Sequence, residues 1–436
     1  MGGNRFAPTP DAERRLAAFL AHPHLPSALE DLVFQYIGRK VQKPWNDPQV
    51  LNRIRNAVIF QKGRYWDERP GRGIPYGKAY RTFGYLAYHM PAYFVQTEHI
   101  LADLARQGLL RPEMKILDVG TGPGVVPLAI TDFYRRVADP NVKIVINAIE
   151  RDEEHLEAYR HLVPGFAAGV PGITISPPVI ADIKTLSPDI IPPGIDLMIF
   201  SNVLNELRDL DIPAKADIVM RLAGRLSPEG TFLITEPADK INSPGLRILS
   251  LALKERGLFI SSPCSFIWGT GCSPESCWSF EEKPPLAPPD LMRAVAAGDE
   301  PYRFLNTDIK FSSVILRKDG IAGNGFHVPT HAKFARFSSL HHHTGRKVHV
   351  IGSVMSGELG NAKNHVIKIC DGTAKIPVFA ILPEYHRTAQ NSDLLTAGYG
   401  TIVQIRNVLV RFNAKENAFN LFVNRETEVA RISTPS

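Results

Sequence analysis

The chain has 436 residues, of which 44% are hydrophobic and 22% are charged, and its formal net charge is +6. That length allows two or three domains, and the composition is typical of globular proteins. No apolar run of about 18 residues is present and no signal-peptide core follows Met1, which argues against a membrane span and an export signal. We therefore expect a cytoplasmic protein without membrane association, in which clustered cysteines more often bind metal than form disulfides.

The charge is distributed unevenly along the chain. Residues 1–92 contain 14 basic and 7 acidic side chains, residues 93–301 contain 19 and 28, and residues 302–436 contain 17 and 9. Two basic flanks therefore surround an acidic middle. Basic surfaces of this kind attract phosphate backbones, although a merely solvated surface is the alternative.

Residues 1–92 are predicted to form a basic helical region. Apolar residues recur three and four apart in Asp11–Leu20, and a second helix is expected over Ser27–Ile37, with Ser27 as its cap. Beyond it, up to Tyr88, we expect an irregular basic surface. Helix is predicted again over Pro91–Arg106.

Residues 93–340 are predicted to form an α/β domain. β-branched apolar runs alternate with helical segments, which indicates a doubly wound parallel sheet covered by helices on both faces. The predicted strands are Lys115–Val119, Lys143–Ile149, Thr174–Ser176 with Val179–Ile180, Asp196–Ser201, Thr231–Thr235 and Phe311–Lys318. The predicted helices between them are Val125–Val137, Asp152–Leu162 and Ile212–Leu226.

Residues 341–436 are predicted to be all-β, in five short strands with a helix-sized insert between the third and the fourth. That order is typical of a small OB-like β-barrel, a fold that often binds nucleic acid. The predicted strands are Lys347–Val354, Asn364–Cys370, Lys375–Leu382, Thr401–Val410 and Ala418–Val423.

A glycine-rich turn joins the first strand of the α/β domain to the helix that follows it. Its sequence is Asp118-Val-Gly120-Thr-Gly122-Pro-Gly124. Glycines let the backbone approach a ligand closely, and the helix start presents free N–H groups. A glycine turn without a ligand, or with another dinucleotide, is the alternative.

Polar residues also follow the next three strands. Glu150 ends the second strand, where a carboxylate can accept hydrogen bonds from ribose hydroxyls. Asp182 follows the third and is placed to reach an adenine amine, and Asn202 follows the fourth. Together with the Asp-x-Gly-x-Gly-x-Gly turn, these residues resemble the S-adenosylmethionine pocket of class I methyltransferases. The resemblance covers roughly residues 93–320, and it identifies no catalytic base.

The four cysteines of the chain form one candidate ligand set. Cys264, Cys272 and Cys277 lie in a Gly- and Pro-containing loop, residues 261–282, and Cys370 lies in a predicted barrel strand. Four thiolates suit either tetrahedral zinc or an iron–sulfur cluster. Buried structural cysteines, or Cys264 as a nucleophile, are the alternatives.

A methyltransferase-like domain, a cysteine loop ending in Cys277-Trp-Ser-Phe and a β-barrel with one more cysteine resemble a particular family. It is that of the methyltransferase-like proteins of the mitochondrial small ribosomal subunit and their prokaryotic relatives. The resemblance implies a [4Fe–4S] cluster with Cys264, Cys272, Cys277 and Cys370 as ligands; zinc is the alternative. This chain departs from the family pattern at Ser265 and Phe266, where the family has Pro-His.

We therefore expect a protein that binds S-adenosylmethionine and small-subunit ribosomal RNA or its precursor particle, as an RNA methyltransferase in small-subunit assembly. A monomer is favoured. One alternative is a non-catalytic assembly factor whose methyltransferase fold only binds ribosomal RNA, because one fold can host either role. The other is a zinc-containing methyltransferase acting on transfer RNA or protein.

Overall fold

The computed structural model describes residues 6, 8–66, 79–269, 272–298, 300–321 and 325–433. The chain divides into two compact units. The first comprises residues 1–187 and 283–309, and the second comprises residues 188–282 and 310–436.

Helices make up most of the first unit. Thr9 caps the first of them, because its side chain accepts a hydrogen bond from Ala12 N. Ser27 was predicted to cap the second helix, but it is the first residue of that helix. Pro26 precedes it and makes no side-chain cap hydrogen bond. The helices are α1 (Pro10–Ala21), α2 (Ser27–Val41), α3 (Pro48–Trp66), α4 (Ala79–Tyr88), α5 (Met90–Arg106), α6 (Val125–Val137), α7 (Glu153–Ala167) and, from the later segment, α10 (Asp290–Ala296).

Within the expected irregular stretch before Tyr88, α3 and α4 form helices instead, and residues 67–78 lie outside the described parts of the chain. Six residues of α4 are buried, and Arg55 of α3 donates hydrogen bonds to the carbonyl oxygens of Ala294, Val295 and Ala297 at the end of α10. Tertiary contacts of this kind are what stabilise helices whose own sequence signal is weak.

The strands of the first unit are parallel. Residues of β1 pair with β2 over seven positions, from Glu113–Lys143 to Val119–Ile149. The helices α6 and α7 provide the connections after β1 and β2, as a parallel sheet requires. The strands are β1 (Glu113–Val119), β2 (Lys143–Glu150), β3 (Ile173–Ile175) and β4 (Val179–Ile180), of which β3 and β4 both pair with β2.

The second unit contains further sheet strands, both parallel and antiparallel, and the barrel. Here β5 pairs in parallel with β6, whereas β9 runs antiparallel to both β6 and β7 and lies between them. The elements before the barrel are β5 (Ile195–Ser201), α8 (Ile212–Ala223), β6 (Leu226–Pro237), α9 (Asn242–Glu255), β7 (Phe259–Ser262), β8 (Glu281–Lys283) and β9 (Ile309–Arg317).

The barrel closes on itself. Its strands follow the order β10-β11-β12-β14-β13, β10 pairs with β13, and β15 adds to the outer side of β13. The parallel pairing of β12 with β14 and the short helix before β13 complete the OB-like pattern. The elements are β10 (Lys347–Val354), β11 (Asn364–Cys370), β12 (Val378–Pro383), α11 (Asp393–Thr396), β13 (Ile402–Asn413), β14 (Ala418–Phe422) and β15 (Glu428–Ser433).

The predicted fold class is confirmed: a Rossmann-like methyltransferase fold with N-terminal helices and a closed five-stranded barrel. The prediction missed α9 and β7, so the cysteine loop follows β7 rather than the fifth strand of the sheet directly. The helix predicted to reach Leu226 ends at Ala223. Within the residues described above, no helix is long and apolar enough to cross a membrane.

Candidate functional site

The glycine turn has the backbone conformation that its sequence predicts. Gly120, Gly122 and Gly124 have φ values of 72°, 54° and 95°, in the left-handed region that glycine tolerates best. Gly124 is the N-cap of α6, and the N–H groups of Gly120 and Thr121 both donate to the carbonyl of Ile149 at the end of β2.

Gly124 and Gly122 differ in what a side chain at each position would meet. A methyl group added at Gly124 would lie 2.2 Å from Val163 Cγ2, so this glycine permits α6 to pack on α7. A methyl group at Gly122 would meet nothing within 4 Å. Gly122 therefore borders open space, which is where a ligand could lie.

Two carboxylates flank this turn. Asp118 is 1% exposed, and its Oδ2 has no hydrogen-bond partner in the described parts of the chain. Burial raises the pKa of Asp118 to about 7, a Thr121 hydrogen bond opposes the rise, and the nearby Glu150 adds to it. An orphaned buried oxygen of this kind fits a ligand that donates a hydrogen bond.

Glu150 is anchored by backbone N–H groups. Its Oε2 accepts from Gly122 N at 2.9 Å, and its Oε1 accepts from the N–H groups of Arg151 and Asp152, each at 2.8 Å. The carboxylate is thus held rigidly at the glycine turn, with lone pairs left for a ligand hydroxyl.

Asp182 belongs to the same unit and follows β4. Its Oδ2 pairs with Arg151 Nη1 at 3.0 Å, and its Oδ1 accepts from Lys184 N at 2.9 Å. Partial burial would raise the pKa of Asp182, but these two hydrogen bonds outweigh it and lower the pKa. The structure therefore brings six of the seven predicted cofactor residues together in the first unit.

Asn202, the seventh, lies in the second unit. It has a left-handed φ of 56°, and its N–H donates to Thr235 O at 2.9 Å. Its Oδ1 is buried and has no hydrogen-bond partner among the residues that the structure describes, and the same holds for Asn205 Oδ1 in the loop that follows. These amide oxygens lie at the carboxyl ends of β5 and β6.

Glu236 is a neighbouring carboxyl group that the sequence analysis missed. It is 4% exposed, its Oε1 accepts from Asn205 N at 3.2 Å, and its Oε2 is partnerless in the described residues. Burial raises its pKa to about 8, against the hydrogen bond from Asn205 N. The sequence signal that could have identified Glu236 is its position in Thr235-Glu236-Pro237, at the end of a strand.

The second candidate site is a cavity of about 30 Å³ in the second unit. All four cysteines line it, as does the guanidinium-bearing Arg247 of α9. Burial raises the pKa of Cys264 to about 12, and the pKa values of Cys272 and Cys370 are raised for the same reason, with the neighbouring thiols adding to the rise.

The spacing of the thiols bears on which metal group they suit. Four sulfur atoms around one zinc ion lie about 3.8 Å from one another, given the tetrahedral Zn–S distance. No group of three or more His, Cys, Asp or Glu side chains within the described ranges is placed to hold a metal ion. All four thiols nevertheless line one cavity.

The cysteine loop is fixed to the barrel next to Cys370. The indole Nε1 of Trp268 donates to Asp371 Oδ2 at 3.0 Å, and the hydroxyls of Ser265 and Ser353 lie 2.8 Å apart. Phe280 N donates to Met355 O at 3.2 Å. These contacts bring a thiol from the barrel to three from the loop.

Comparison with known proteins identifies one family model. Residues 338–432 match the C-terminal domain of a domain of unknown function, DUF8157. That match covers the barrel and not the α/β part. No curated protein matches the chain.

Solved structures with a similar fold include several methyltransferases. The magnesium protoporphyrin IX methyltransferase ChlM of Synechocystis PCC 6803, with bound SAH, is 11% identical over 63% of this chain and 99% of its own, with a TM-score of 0.32. The plantazolicin methyltransferase BpumL, also with SAH, is 11% identical over 63% and 100%, with a TM-score of 0.34. A TehB-like methyltransferase of Corynebacterium glutamicum is 15% identical over 49% and 86%, with a TM-score of 0.26. Such low values carry no argument about activity or substrate.

Proposed function

We propose that this protein is an S-adenosylmethionine-dependent methyltransferase that acts on small-subunit ribosomal RNA. The observation that carries the cofactor assignment is the orphaned Oδ2 of buried Asp118 beside the open space at Gly122. Glu150 would accept the ribose hydroxyls and Asp182 the adenine amine.

The bound cofactor would supply an electrophilic methyl group on its sulfonium. The contribution of the chain is positioning: the glycine turn and the backbone-anchored Glu150 fix where the ligand lies, and alignment of this kind lowers the barrier to direct methyl transfer. In the second unit, Asn202, Asn205 and Glu236 each have a buried oxygen without a partner among the described residues, and these oxygens suit a bound group that carries N–H hydrogens.

Calorimetry with S-adenosylmethionine tests the cofactor assignment. We expect binding by the wild-type protein, a loss of about tenfold or more in Asp118→Asn and Glu150→Gln, and no change in Glu113→Gln, an exposed acid elsewhere on the first unit. Absence of binding in the wild type would favour the non-catalytic assembly factor and contradict the enzyme.

We further propose that the four cysteines bind a [4Fe–4S] cluster. The cavity that all four thiols line supports a shared ligand set, and the resemblance of the cysteine pattern favours a cluster over zinc. The test is anaerobic reconstitution with Fe²⁺ and sulfide, with Zn²⁺ alone in a parallel arm. Stoichiometric iron and sulfide with broad visible absorbance would support the cluster, whereas tight uptake of one zinc ion only would contradict it.

Ribosomal RNA as the partner is supported by the basic C-terminal segment and by the barrel surface. Tyr385 is 69% exposed and Phe412 is 45% exposed, with Arg387 and Arg411 as their near sequence neighbours. Exposed aromatics beside cations are the elements on which single-stranded bases stack. We expect the protein to act as a cytoplasmic monomer on the small-subunit particle.

Crosslinking in cells, followed by sequencing of the bound RNA, tests the partner. Small-subunit ribosomal RNA is the expected product, and recovery of transfer RNA or of no RNA would contradict the proposal. With purified RNA, Tyr385→Ala and Phe412→Ala should each weaken binding by about tenfold. The matched control is Tyr302→Ala, which removes an equally exposed tyrosine outside the barrel.

A further inference from the structure

Arg247 is a buried cation at the wall of the cysteine cavity. It is 2% exposed and lies on α9. Its guanidinium donates to Ser279 Oγ at 2.8 Å, to Ser313 O at 2.8 Å and to Tyr399 Oη at 2.5 Å. All three acceptors are neutral, so its hydrogen bonds are satisfied but its charge is not compensated by them.

Lys368 is a second buried cation, on the barrel side of the same site. It is 5% exposed, and it precedes Cys370 by two residues on β11, so the two side chains leave the strand on the same face. Its ammonium donates to Trp278 O at 2.7 Å, the carbonyl of the residue that follows Cys277. This acceptor too is neutral.

Two buried cations with neutral partners are unfavourable, because each has lost its hydration without gaining a countercharge. The buried carboxyls nearby have other donors. Asp371 accepts from Trp268, Phe337 N and Thr373, and Glu281 accepts from Ser313 Oγ.

Four cysteine thiolates supply the missing countercharge. A metal centre is bound by thiolates, and a doubly positive core within four of them leaves two negative charges. Two cations would neutralise that excess. We propose that Arg247 and Lys368 are the built-in countercharges of an anionic four-thiolate group in this cavity, a role that rests on the metal site proposed above.

Charge-neutral variants test this role in the full-length protein. Arg247→Gln and Lys368→Met are reconstituted anaerobically with Fe²⁺ and sulfide, and the loss of iron to an excess of chelator is timed. We expect iron to be held about 10- to 100-fold less tightly than in the wild type. The control is Arg317→Gln, since Arg317 is also a buried arginine of the second unit but pairs with Asp319.

Arg247→Lys separates charge from hydrogen-bond geometry. If charge is the cause, this variant should hold iron nearly as well as the wild type. Equal loss from Arg247→Lys and Arg247→Gln would overturn the proposal, and so would wild-type retention in both Arg247→Gln and Lys368→Met.

Thermal unfolding gives a readout that does not depend on activity. Loading should raise the melting temperature of Arg247→Gln by less than it raises that of the wild type, because the variant lacks one of the two countercharges. After loading it should melt below the wild type. A wild-type protein that takes up no iron and sulfide would overturn the metal site itself, whereas a loaded wild type with indifferent variants overturns only the countercharge role.

Discussion

Trp268 donates its indole N–H to Asp371 Oδ2 at 3.0 Å and so joins the cysteine loop to the residue that follows Cys370. The same Oδ2 accepts from Phe337 N at 2.8 Å, and Oδ1 accepts from Thr373 N at 2.8 Å. One buried carboxylate therefore organises three segments next to Cys370.

Replacing Asp371 by Asn should destabilise the metal-free protein by about 1–3 kcal/mol, because an amide offers one acceptor oxygen where donors surround two. Urea denaturation of the metal-free form measures this loss. Asp393→Asn, at a largely exposed ion pair with Arg431, should change stability by less than about 1 kcal/mol. Equal effects of the two substitutions would contradict the role of Asp371.

The glycine turn offers a pair of substitutions with different expected outcomes. Gly124→Ala should cost about 3 kcal/mol or more in unfolding free energy, because its methyl group would overlap Val163 and its φ is left-handed. Gly122→Ala should cost only about 1 kcal/mol, since its methyl group meets open space. In calorimetry, however, Gly122→Ala should lose affinity for S-adenosylmethionine while the fold persists. Retained affinity would contradict a ligand beside Gly122.

Glu236 should make stability depend on pH. Burial raises its pKa to about 8 from an ordinary value of 4.5, so between these pH values the folded state binds a proton that the unfolded state does not. Stability is therefore lost as pH rises from about 4.5 to about 8. Glu236→Gln should remove this slope and recover at most about 3 kcal/mol at pH 7. Denaturation at pH 5 and pH 7 measures the slope, with the exposed Glu255→Gln as control.

Much of this fold could be predicted from the sequence because its strands have strong local signals. The β-branched runs of β1, β2 and β5 and the glycine turn between β1 and α6 lie where they were expected. The helices α3 and α4 were missed, because their stability depends on packing against distant parts of the chain, such as the contact of Arg55 with α10.

The candidate sites also contain some residues that could be predicted from the sequence and others that could not. The cysteine spacing pointed to a ligand set, and the structure places all four around one cavity. Arg247 could not be predicted as a neighbour of the thiols, because its helix, α9, contains no motif. For Lys368 the signal was its position two residues before Cys370 on a predicted strand. Their relation to the thiols exists only in the folded second unit.

His365 should make stability depend on pH in the same direction as Glu236, but from a higher starting pH. Its Nδ1 lies 2.7 Å from Glu358 Oε2 and its Nε2 lies 2.9 Å from Glu384 Oε2. Burial would lower the pKa of His365, but these two carboxylates outweigh it and raise the pKa above 6.5.

The stability from this arrangement is fully present below pH 6.5 and is lost as pH rises through the folded-state pKa. Its size should stay below about 1 kcal/mol and decrease with salt, since the carboxylates are exposed. NMR titration of the imidazole measures the pKa, and His365→Gln should flatten the pH dependence where the exposed His342→Gln does not.

Cys370→Ser tests whether the barrel contributes a metal ligand. Serine keeps the size of the side chain but removes the thiolate, so the reconstituted variant should hold clearly less iron than the wild type. Ser250→Ala is the matched control, because Ser250 also lines the cavity but offers no thiol, and its hydroxyl donates to Leu246 O within its own helix. The metal should also protect residues 261–282 from proteolysis in the wild type and not in Cys370→Ser, since a shared ligand set ties this loop to β11. Full metal content in Cys370→Ser would assign the site to the loop cysteines alone and leave the barrel without a role in it.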